Sequence, residues 1–193
     1  MKIPSPLTAA CVFTLTAGCG QSTPPPSATI AATAATTPST STDFANIPGQ
    51  FPSPATLTSN GQSEAPVGGC VNVRGTPTHA ELTIVDCSSA QHTYRIIRRV
   101  NTPRECGDAD RPYYYNSKAT GQFTACLDLA WDPQSCLNIA DPNVTKVSCT
   151  DTNVINKIKP VNVLLHTTTL DNCPHGGYPH PLRGFTICTE AQP

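Results

Sequence analysis

Cysteine is the residue type with the clearest chemistry in this chain, because a cysteine thiol can carry a lipid, form a disulfide or bind a metal. The sequence of 193 residues contains ten of them. Cys11 and Cys19 lie near the N-terminus, and the other eight lie between Cys70 and Cys188. This division predicts one role for the N-terminal cysteines and another for the remaining eight.

Cys19 has the surroundings of a lipidated cysteine. The apolar run PLTAACVFTLTAG follows Lys2 and predicts a secretory signal peptide over residues 1–18. This run is too short and too rich in Thr and Pro for a membrane-spanning helix. It ends in LTAGC, which resembles a bacterial lipobox with small residues before the cysteine, and therefore predicts a diacylglycerol on Cys19. The alternative is an ordinary signal peptide cut near Ala17, which leaves Cys19 as a spare thiol.

The remaining eight cysteines occur in two similar halves of the sequence. CVNVRGTPTHAELTIVDC at 70–87 and CLNIADPNVTKVSC at 136–149 both open with Cys, an aliphatic residue, Asn and another aliphatic residue, and both close with Val, one residue and Cys. Each is followed by a β-branched run, a third cysteine, and a segment that ends in Phe, Thr, any residue and Cys. Matches in the same order, each attached to a cysteine, predict an internal duplication.

The duplication suggests one disulfide pairing among the many that eight cysteines allow. In each half the first cysteine pairs with the second and the third with the fourth. The predicted bridges are Cys70 with Cys87, Cys106 with Cys126, Cys136 with Cys149, and Cys173 with Cys188. Each bridge would stabilise the fold by about 3 kcal/mol in the chain-entropy model. Disulfides of this kind persist in an oxidising space outside the cytoplasm.

The segments between the cysteines have the pattern of short strands. CVNV, ELTIV, CLNI and VTKV are rich in β-branched residues, and turn formers such as RGTP and ADPN separate them by hairpin-sized gaps. The sequence therefore predicts a mainly β protein with two duplicated, disulfide-stapled antiparallel β units, residues 67–131 and 132–193, packed as one domain. Pro160 cannot donate to a strand ladder, so we expect a bulge or an edge strand there.

Residues 19–66 have a different composition, dominated by Ala, Thr, Ser and Pro. Their apolar surface is too small to offset the entropy of ordering them, so we expect a disordered tether behind the lipidated cysteine. The short apolar patch DFANIPGQF is interpreted as an irregularity of this tether, with a docking segment as the alternative. Residues 67–193 have equal numbers of basic and acidic residues, which argues against nucleic-acid binding through bulk charge.

No known catalytic motif occurs in the sequence: GxSxG, HExxH, the Walker loop, CxxC and GxGxxG are all absent. Asp86, Ser88 and His92 could be assembled into a triad, but their closeness along the chain is no evidence for one. Asp108 and Asp110 lack the spacing of a calcium loop. The sequence therefore predicts no catalytic residues.

Three histidines are candidate metal ligands: His166, His175 and His180, the last two within CPHGGYPH. Histidine is a common zinc ligand. However, the corresponding segment around Cys106 in the first half has no histidine, and a loop rich in Gly and Pro is usually solvated. We therefore expect a solvated loop, no bound metal and no cofactor.

A candidate partner surface combines arginines and tyrosines. The arginines alternate with apolar residues along a predicted strand and are expected to point outward. The tyrosines lie in what we expect to be an exposed turn, and exposed tyrosines are common at interfaces. The predicted surface consists of Arg95, Arg99, Tyr113, Tyr114 and Tyr115. Its partner would be an anionic cell-wall polymer or an envelope protein; the alternative is a solvated strand face with acidic neighbours.

The combination of the lipobox, the Ala/Thr/Pro-rich tether and the segments GGCVNV, LTIVDCSSAQHTYRIIRRV and FTACLDL resembles the actinobacterial lipoproteins called LppU. The resemblance covers about residues 69–127 and implies a location and an architecture: a lipid-anchored protein on the extracytoplasmic face of the cell membrane. We therefore expect a non-catalytic binding or structural module of the cell envelope. The alternative is an envelope hydrolase or a ligand-carrying protein with an unrecognised site.

Overall fold

The computed structural model describes residues 38–76, 78–140 and 143–193. The predicted signal peptide over 1–18, Cys19 and the first part of the predicted tether lie outside these residues. Within the described ranges, no helix has the length and apolar character that crossing a bilayer requires.

Short strands are the main regular structure of the described chain, as the β-branched and aromatic runs bounded by turn residues predict. The strands are β1 (Ser39–Ser41), β2 (Cys70–Thr76), β3 (His79–Val85), β4 (Tyr94–Val100), β5 (Arg111–Ser117), β6 (Gly121–Leu129), β7 (Cys136–Ala140), β8 (Asn143–Val147), β9 (Lys157–Leu165), β10 (Gly177–His180) and β11 (Phe185–Gln192). A short 3-10 helix at Pro103–Cys106 lies between β4 and β5. The predicted mainly β class is confirmed.

The strands form two sheets with the same internal order. The first sheet has the order β3–β2–β4–β6–β5, and the second has the order β8–β7–β9–β11–β10, with β1 as an additional short strand on β9. Neighbouring strands are antiparallel throughout both sheets. Because β2 to β6 and β7 to β11 take equivalent places, the predicted sequence duplication is confirmed as a duplication of strand topology.

Both sheets carry a bulge at the same position. The pairing of β4 with β6 skips Ile97, and the pairing of β9 with β11 skips Val161, the residue after Pro160. The expected bulge beside Pro160 is therefore confirmed. The first half has the same bulge without a proline. The bulge is therefore a feature of the repeated unit, and Pro160 is compatible with it but does not cause it.

All four predicted disulfides form. They join Cys70 to Cys87, Cys106 to Cys126, Cys136 to Cys149, and Cys173 to Cys188. In each half the first bridge ties the start of one strand, β2 or β7, to the chain just beyond its hairpin partner. The second bridge ties β6 or β11 to the connection that follows β4 or β9. Each bridge lies within one half, so the two units are crosslinked separately.

One core is shared by the two sheets. Val71 and Leu127 of the first sheet and Val163 and Phe185 of the second belong to the same cluster of buried residues. Burial of apolar surface between the sheets therefore holds the two units together as one domain, as predicted.

The tether prediction is wrong for residues 38–66, which pack against both sheets; we call this segment the strap. Phe44 and Ile47, each 7% exposed, insert into the shared core. Gly61 lies directly on Phe123, where a Cβ atom would overlap the aromatic ring. The patch DFANIPGQF is thus a docking segment, the alternative that the sequence left open, and the domain includes residues well before the predicted boundary at 67.

The strap pairs with equivalent positions of the two sheets. Ser41 of β1 pairs with Val163 of β9, and Thr56 forms a parallel bridge with Arg99 of β4. Arg99 and Val163 are equivalent because each lies opposite the residue before the fourth cysteine of its half. The strap therefore supplies backbone partners at the same place in both units.

Substitution of Phe44 tests whether the strap is part of the fold. Because Phe44 is buried in the shared core, Phe44→Ala should lower the free energy of unfolding by about 3 kcal/mol or more. Urea denaturation of the full chain with its disulfides intact measures this change. The control is Ile155→Ala at a side chain that is 75% exposed, which should change stability by less than about 0.5 kcal/mol. Equal stabilities for the two variants would mean that the strap is a free tether.

Candidate functional site

The arginines of β4 bind the strap. Their guanidinium groups donate to its backbone carbonyls, although the adjacent Arg98 and Arg99 project from opposite faces of the strand. The bonds are Arg95 Nη1 to Ala45 O at 2.8 Å, Arg98 Nε to Pro54 O at 3.1 Å, and Arg99 Nη1 to Ala65 O at 3.1 Å. Arg99 is only 4% exposed, so its place in the predicted partner surface is wrong: its partner is the chain itself.

The three tyrosines of β5 do not form one surface. They lie in a strand rather than the expected turn, and successive side chains of a strand point to opposite faces. Tyr113 is buried and donates its hydroxyl to Ala80 O at 3.1 Å, and Tyr115 packs on the Phe123 ring at a centroid distance of 5.1 Å. Tyr114 points the other way and is 47% exposed.

The histidines and the possible triad take other roles. Ser88 Oγ donates directly to Asp86 Oδ1 at 2.7 Å, whereas His92 Nδ1 is bonded to Cys87 O at 3.1 Å. His180 lies in β10 and is 2% exposed, so the expectation of a solvated loop is wrong there. Within the described ranges, no group of three or more His, Cys, Asp or Glu side chains is placed to hold a metal ion.

A cluster of charged side chains lies buried between the two halves. Its members are Asp108, Asp110 and Asp128 from the first half and His180 and Arg183 from the second. Arg183 donates to Asp108 Oδ1 at 2.8 Å, to Asp128 Oδ2 at 2.6 Å and to the strap carbonyl of Gln50 at 2.9 Å. One guanidinium therefore joins both halves and the strap.

Burial governs the protonation of this cluster. Burial alone would lower the pKa of Arg183, but its bonds with Asp128 and the charge of Asp108 raise that pKa. Burial and the neighbouring charge of Asp128 raise the pKa of Asp110 to about 6, although His180, Arg183 and the Leu129 amide oppose the change. Asp110 therefore changes charge near pH 6.

A cavity of about 500 Å³ lies between the strap and the two halves; we call it the strap cavity. Its walls come from the strap, the bridge Cys70–Cys87, the residues leading into β4, the connection from β6 to β7, and β8. Its lining includes Asp43, Phe44, Ala45, Gln50, His92, Arg95, Leu129, Trp131, Asp132 and Lys146. An adjoining cavity of about 570 Å³ shares Cys87, Asp132 and Lys146 with it.

Four residues that line the strap cavity carry a buried polar atom without a hydrogen-bond partner among the described residues. These atoms are Gln50 Oε1, His92 Nε2, Arg95 Nε and Trp131 Nε1. A buried polar atom of this kind costs about 1–3 kcal/mol when it stays unsatisfied. Each of these atoms is itself covered by the surrounding protein, so a molecule in the cavity would reach it only if the side chain turned.

The electrostatics of the cavity favour a neutral His92. Burial, together with the positive charges of Lys146 and Arg95, lowers the pKa of His92, although Cys87 O and Asp132 oppose this. Cys87 O is only an acceptor, so the bonded Nδ1 carries the proton and the neutral ring presents Nε2 as an acceptor. Burial also lowers the pKa of Lys146, and its ion pair with Asp132 at 3.9 Å opposes that change.

Sequence reasoning singled out Arg95 for a partner surface and named His92 only in a possible triad, and it predicted no cavity. Gln50 and Phe44 lie in the predicted tether, and Trp131 follows β6 in a segment without a motif. The one available signal was the solitary tryptophan of the chain next to a turn, and that signal is weak.

The raised pKa of Asp110 predicts the pH dependence of stability. Its pKa in the folded state, about 6, exceeds the ordinary value of 3.8, so its contribution is present at low pH and is lost as the pH rises through 6. The unfolding free energy of the wild type, relative to Asp110→Asn, should therefore fall by about 3 kcal/mol between about pH 4 and about pH 7. Urea titrations of both proteins across this range measure it. Parallel pH profiles would contradict the assignment.

Comparisons with known proteins add no relative to this geometry. No protein-family model, no curated protein and no solved structure matches the chain. What the site does must therefore be inferred from its own residues.

Proposed function

We propose that this chain is an exported, lipid-anchored module of the cell envelope that binds a small molecule in the strap cavity without catalysing a reaction. The observation that carries the proposal is the cavity of about 500 Å³, whose lining combines charged side chains such as Arg95 and Lys146 with apolar ones such as Leu129. Ligand cavities of this size usually combine apolar walls with a few polar groups that orient the ligand. The strap cavity has both.

The disulfides and the N-terminal sequence support the location. Four disulfides within about 120 residues are typical of proteins that fold in an oxidising compartment. The lipobox-like LTAGC and the resemblance to LppU-type lipoproteins support attachment to the membrane through Cys19. Cys11 leaves with the signal peptide under this proposal.

The site agrees better with the binding of a small molecule in the cavity than with the binding of a polymer by exposed arginines. Arg99 is buried under the strap and Arg95 lies in the cavity wall, so a polymer would not reach them as a flat charged surface. The proposal therefore combines the predicted binding module with the ligand-carrying alternative.

One observation favours an envelope hydrolase as a second candidate. Asp110, whose pKa is raised to about 6, lines a separate cavity of about 340 Å³ together with Tyr94 and Tyr178. A carboxyl group of this kind is suited to acid catalysis. Its buried neighbours in the charge cluster, however, give it a structural role already.

The lipid anchor is tested by metabolic labelling in a bacterial host that processes lipoproteins. Cys19→Ala should abolish incorporation of a labelled fatty acid and release the protein from the membrane fraction, because the thiol is the acceptor of the diacylglycerol. Cys11→Ala is the matched control and should keep the label. Label that persists in Cys19→Ala would refute the anchor.

Binding in the cavity is tested with a small-molecule extract of the cell envelope. Trp131 is the single tryptophan of the chain and lines the cavity, so a change in its emission reports binding at or next to this site. The extract should shift the emission of the full chain, and native mass spectrometry should detect the bound mass. Ala45→Phe, which fills the cavity from the strap, should abolish both signals.

Ala119→Phe provides the control for that experiment, because Ala119 is exposed at the turn between β5 and β6, away from the cavity. It should behave like the wild type. No emission change with the extract, or an equal change in Ala45→Phe, would refute the proposed function.

A further inference from the structure

The repeated unit forms the same cleft in each half of the domain. In the first half β3 and β5 border this cleft, and in the second half β8 and β10 do. The strand registers give the equivalent side chains of the two clefts. These are Leu82 and Val144, Ile84 and Lys146, Tyr113 and Tyr178, Tyr115 and His180, and Phe123 and Phe185.

The cleft of the second half is covered by residues 129–132 of the first half, which we call the cover segment. Three side chains of this segment each lie opposite one side chain of the cleft. The pairs are Leu129 with Val144 across a small cavity, Trp131 with Tyr178 at a ring-centroid distance of 4.9 Å, and Asp132 with Lys146 at 3.9 Å. The contact between the halves is therefore head-to-tail, because one unit supplies the cover and the other supplies the cleft.

The equivalent cleft of the first half has a volume of about 340 Å³, and we call it the open cleft. Ile84 lines it from the same face of β3 as Leu82, yet Ile84 is 48% exposed. The side chain of Lys146, at the equivalent position of the second half, is only 12% exposed. The open cleft thus presents apolar surface that the matching contact buries in the other half.

The open cleft has lost the cations of its counterpart. Ile84 and Tyr115 stand where the second half has Lys146 and His180, and those two cleft residues face acids of the first half. Among the described residues that line the open cleft, Glu64 is the one charged side chain. A carboxylate placed beside Ile84 would lose water without gaining a partner, so the open cleft disfavours the acid that the covered cleft accepts.

A second copy of the chain does not fit the open cleft. Its cover segment is already buried in its own fold, with Leu129 5% and Trp131 8% exposed. The same segment would also bring Asp132 to Ile84, which offers no cation. The divergence of the two clefts therefore opposes head-to-tail polymerisation of the protein.

From this arrangement we infer that the open cleft is a docking site for a segment of another protein. The segment presents an aliphatic and an aromatic side chain two residues apart, as Leu129 and Trp131 do, and an apolar residue in the place of Asp132. The aromatic ring packs on Tyr113, and the apolar residue packs on Ile84. The inference goes beyond the proposed function, because the described residues that line the open cleft and the strap cavity are different sets.

Two synthetic peptides test the chemistry of the partner. The first has the sequence of residues 127–133, LDLAWDP, and the second is the same peptide with Asp132→Leu. Binding to the isotope-labelled full chain is followed by NMR through the methyl resonances of Leu82, which lies in the open cleft. The leucine peptide should bind about threefold more tightly than the native sequence, because its apolar residue meets Ile84.

Ile84→Lys gives the open cleft the cation of its counterpart and should reverse this preference. The native peptide, which carries the acid, should then bind about threefold more tightly than the leucine peptide. Since Ile84 is half exposed, this variant should stay folded. Val161→Lys, at another exposed apolar residue outside the cleft, is the matched control and should keep the wild-type preference.

Equal binding of the two peptides by the wild type, or an unchanged preference in Ile84→Lys, would overturn the inference. Unmoved Leu82 resonances with both peptides would overturn it too. Concentration-dependent association of the chain alone, seen in sedimentation velocity and lost in Ile84→Lys, would assign the cleft to a second copy instead. The strap cavity is decided separately by the envelope extract and Ala45→Phe.

Discussion

Backbone hydrogen bonding by the strap is the constraint on which the rest of the structure depends. A buried strand must find partners for its N–H and C=O groups along its whole length. β2 and β7 each pair with only two residues of β4 and β9, respectively. The strap pairs with the continuing strands at Arg99 and Val163. The same segment brings its carbonyls to the arginines of β4 and Phe44 to the core, and it forms one wall of the cavity.

Duplication with divergence explains how two copies of one unit form a specific domain. The halves share strand order, disulfides and a bulge, but their contact is not symmetric. Arg183 of the second half meets Asp108 and Asp128 of the first, and Arg99 in the first sheet has Val163 as its equivalent in the second. A buried Arg needs acceptors and a buried Val does not. The strap carbonyls therefore lie over the first sheet's arginines, and the two halves are no longer interchangeable.

The parts of this fold that were predictable from the sequence are those with a local or repeated signal. The cysteine order predicted all four bridges, and Pro160 predicted the bulge. The strap was missed because its composition is that of a linker, while its order comes from two apolar side chains and partners distant along the chain. β5 and β10 were read as loops because Gly, Pro and charged residues dominate their flanks. Pairing with β6 and β11 overrides that local preference.

The strap cavity could not be predicted, because its polar atoms come from segments far apart in the chain, and each is unremarkable alone. The three arginines of β4 differ in the partners of their Nε atoms. Arg98 donates through Nε to Pro54 O, and Arg99 through Nε to Thr58 O, so the fold is able to satisfy an arginine Nε on this strand. Arg95 lies on the same strand under the same strap, yet its Nε has no partner in the described part of the chain. Arg95 differs from the other two because its guanidinium also lies over the Phe51 ring, 5.2 Å from the ring centroid. An aromatic face of the strap therefore takes the place of a second hydrogen bond in holding this arginine.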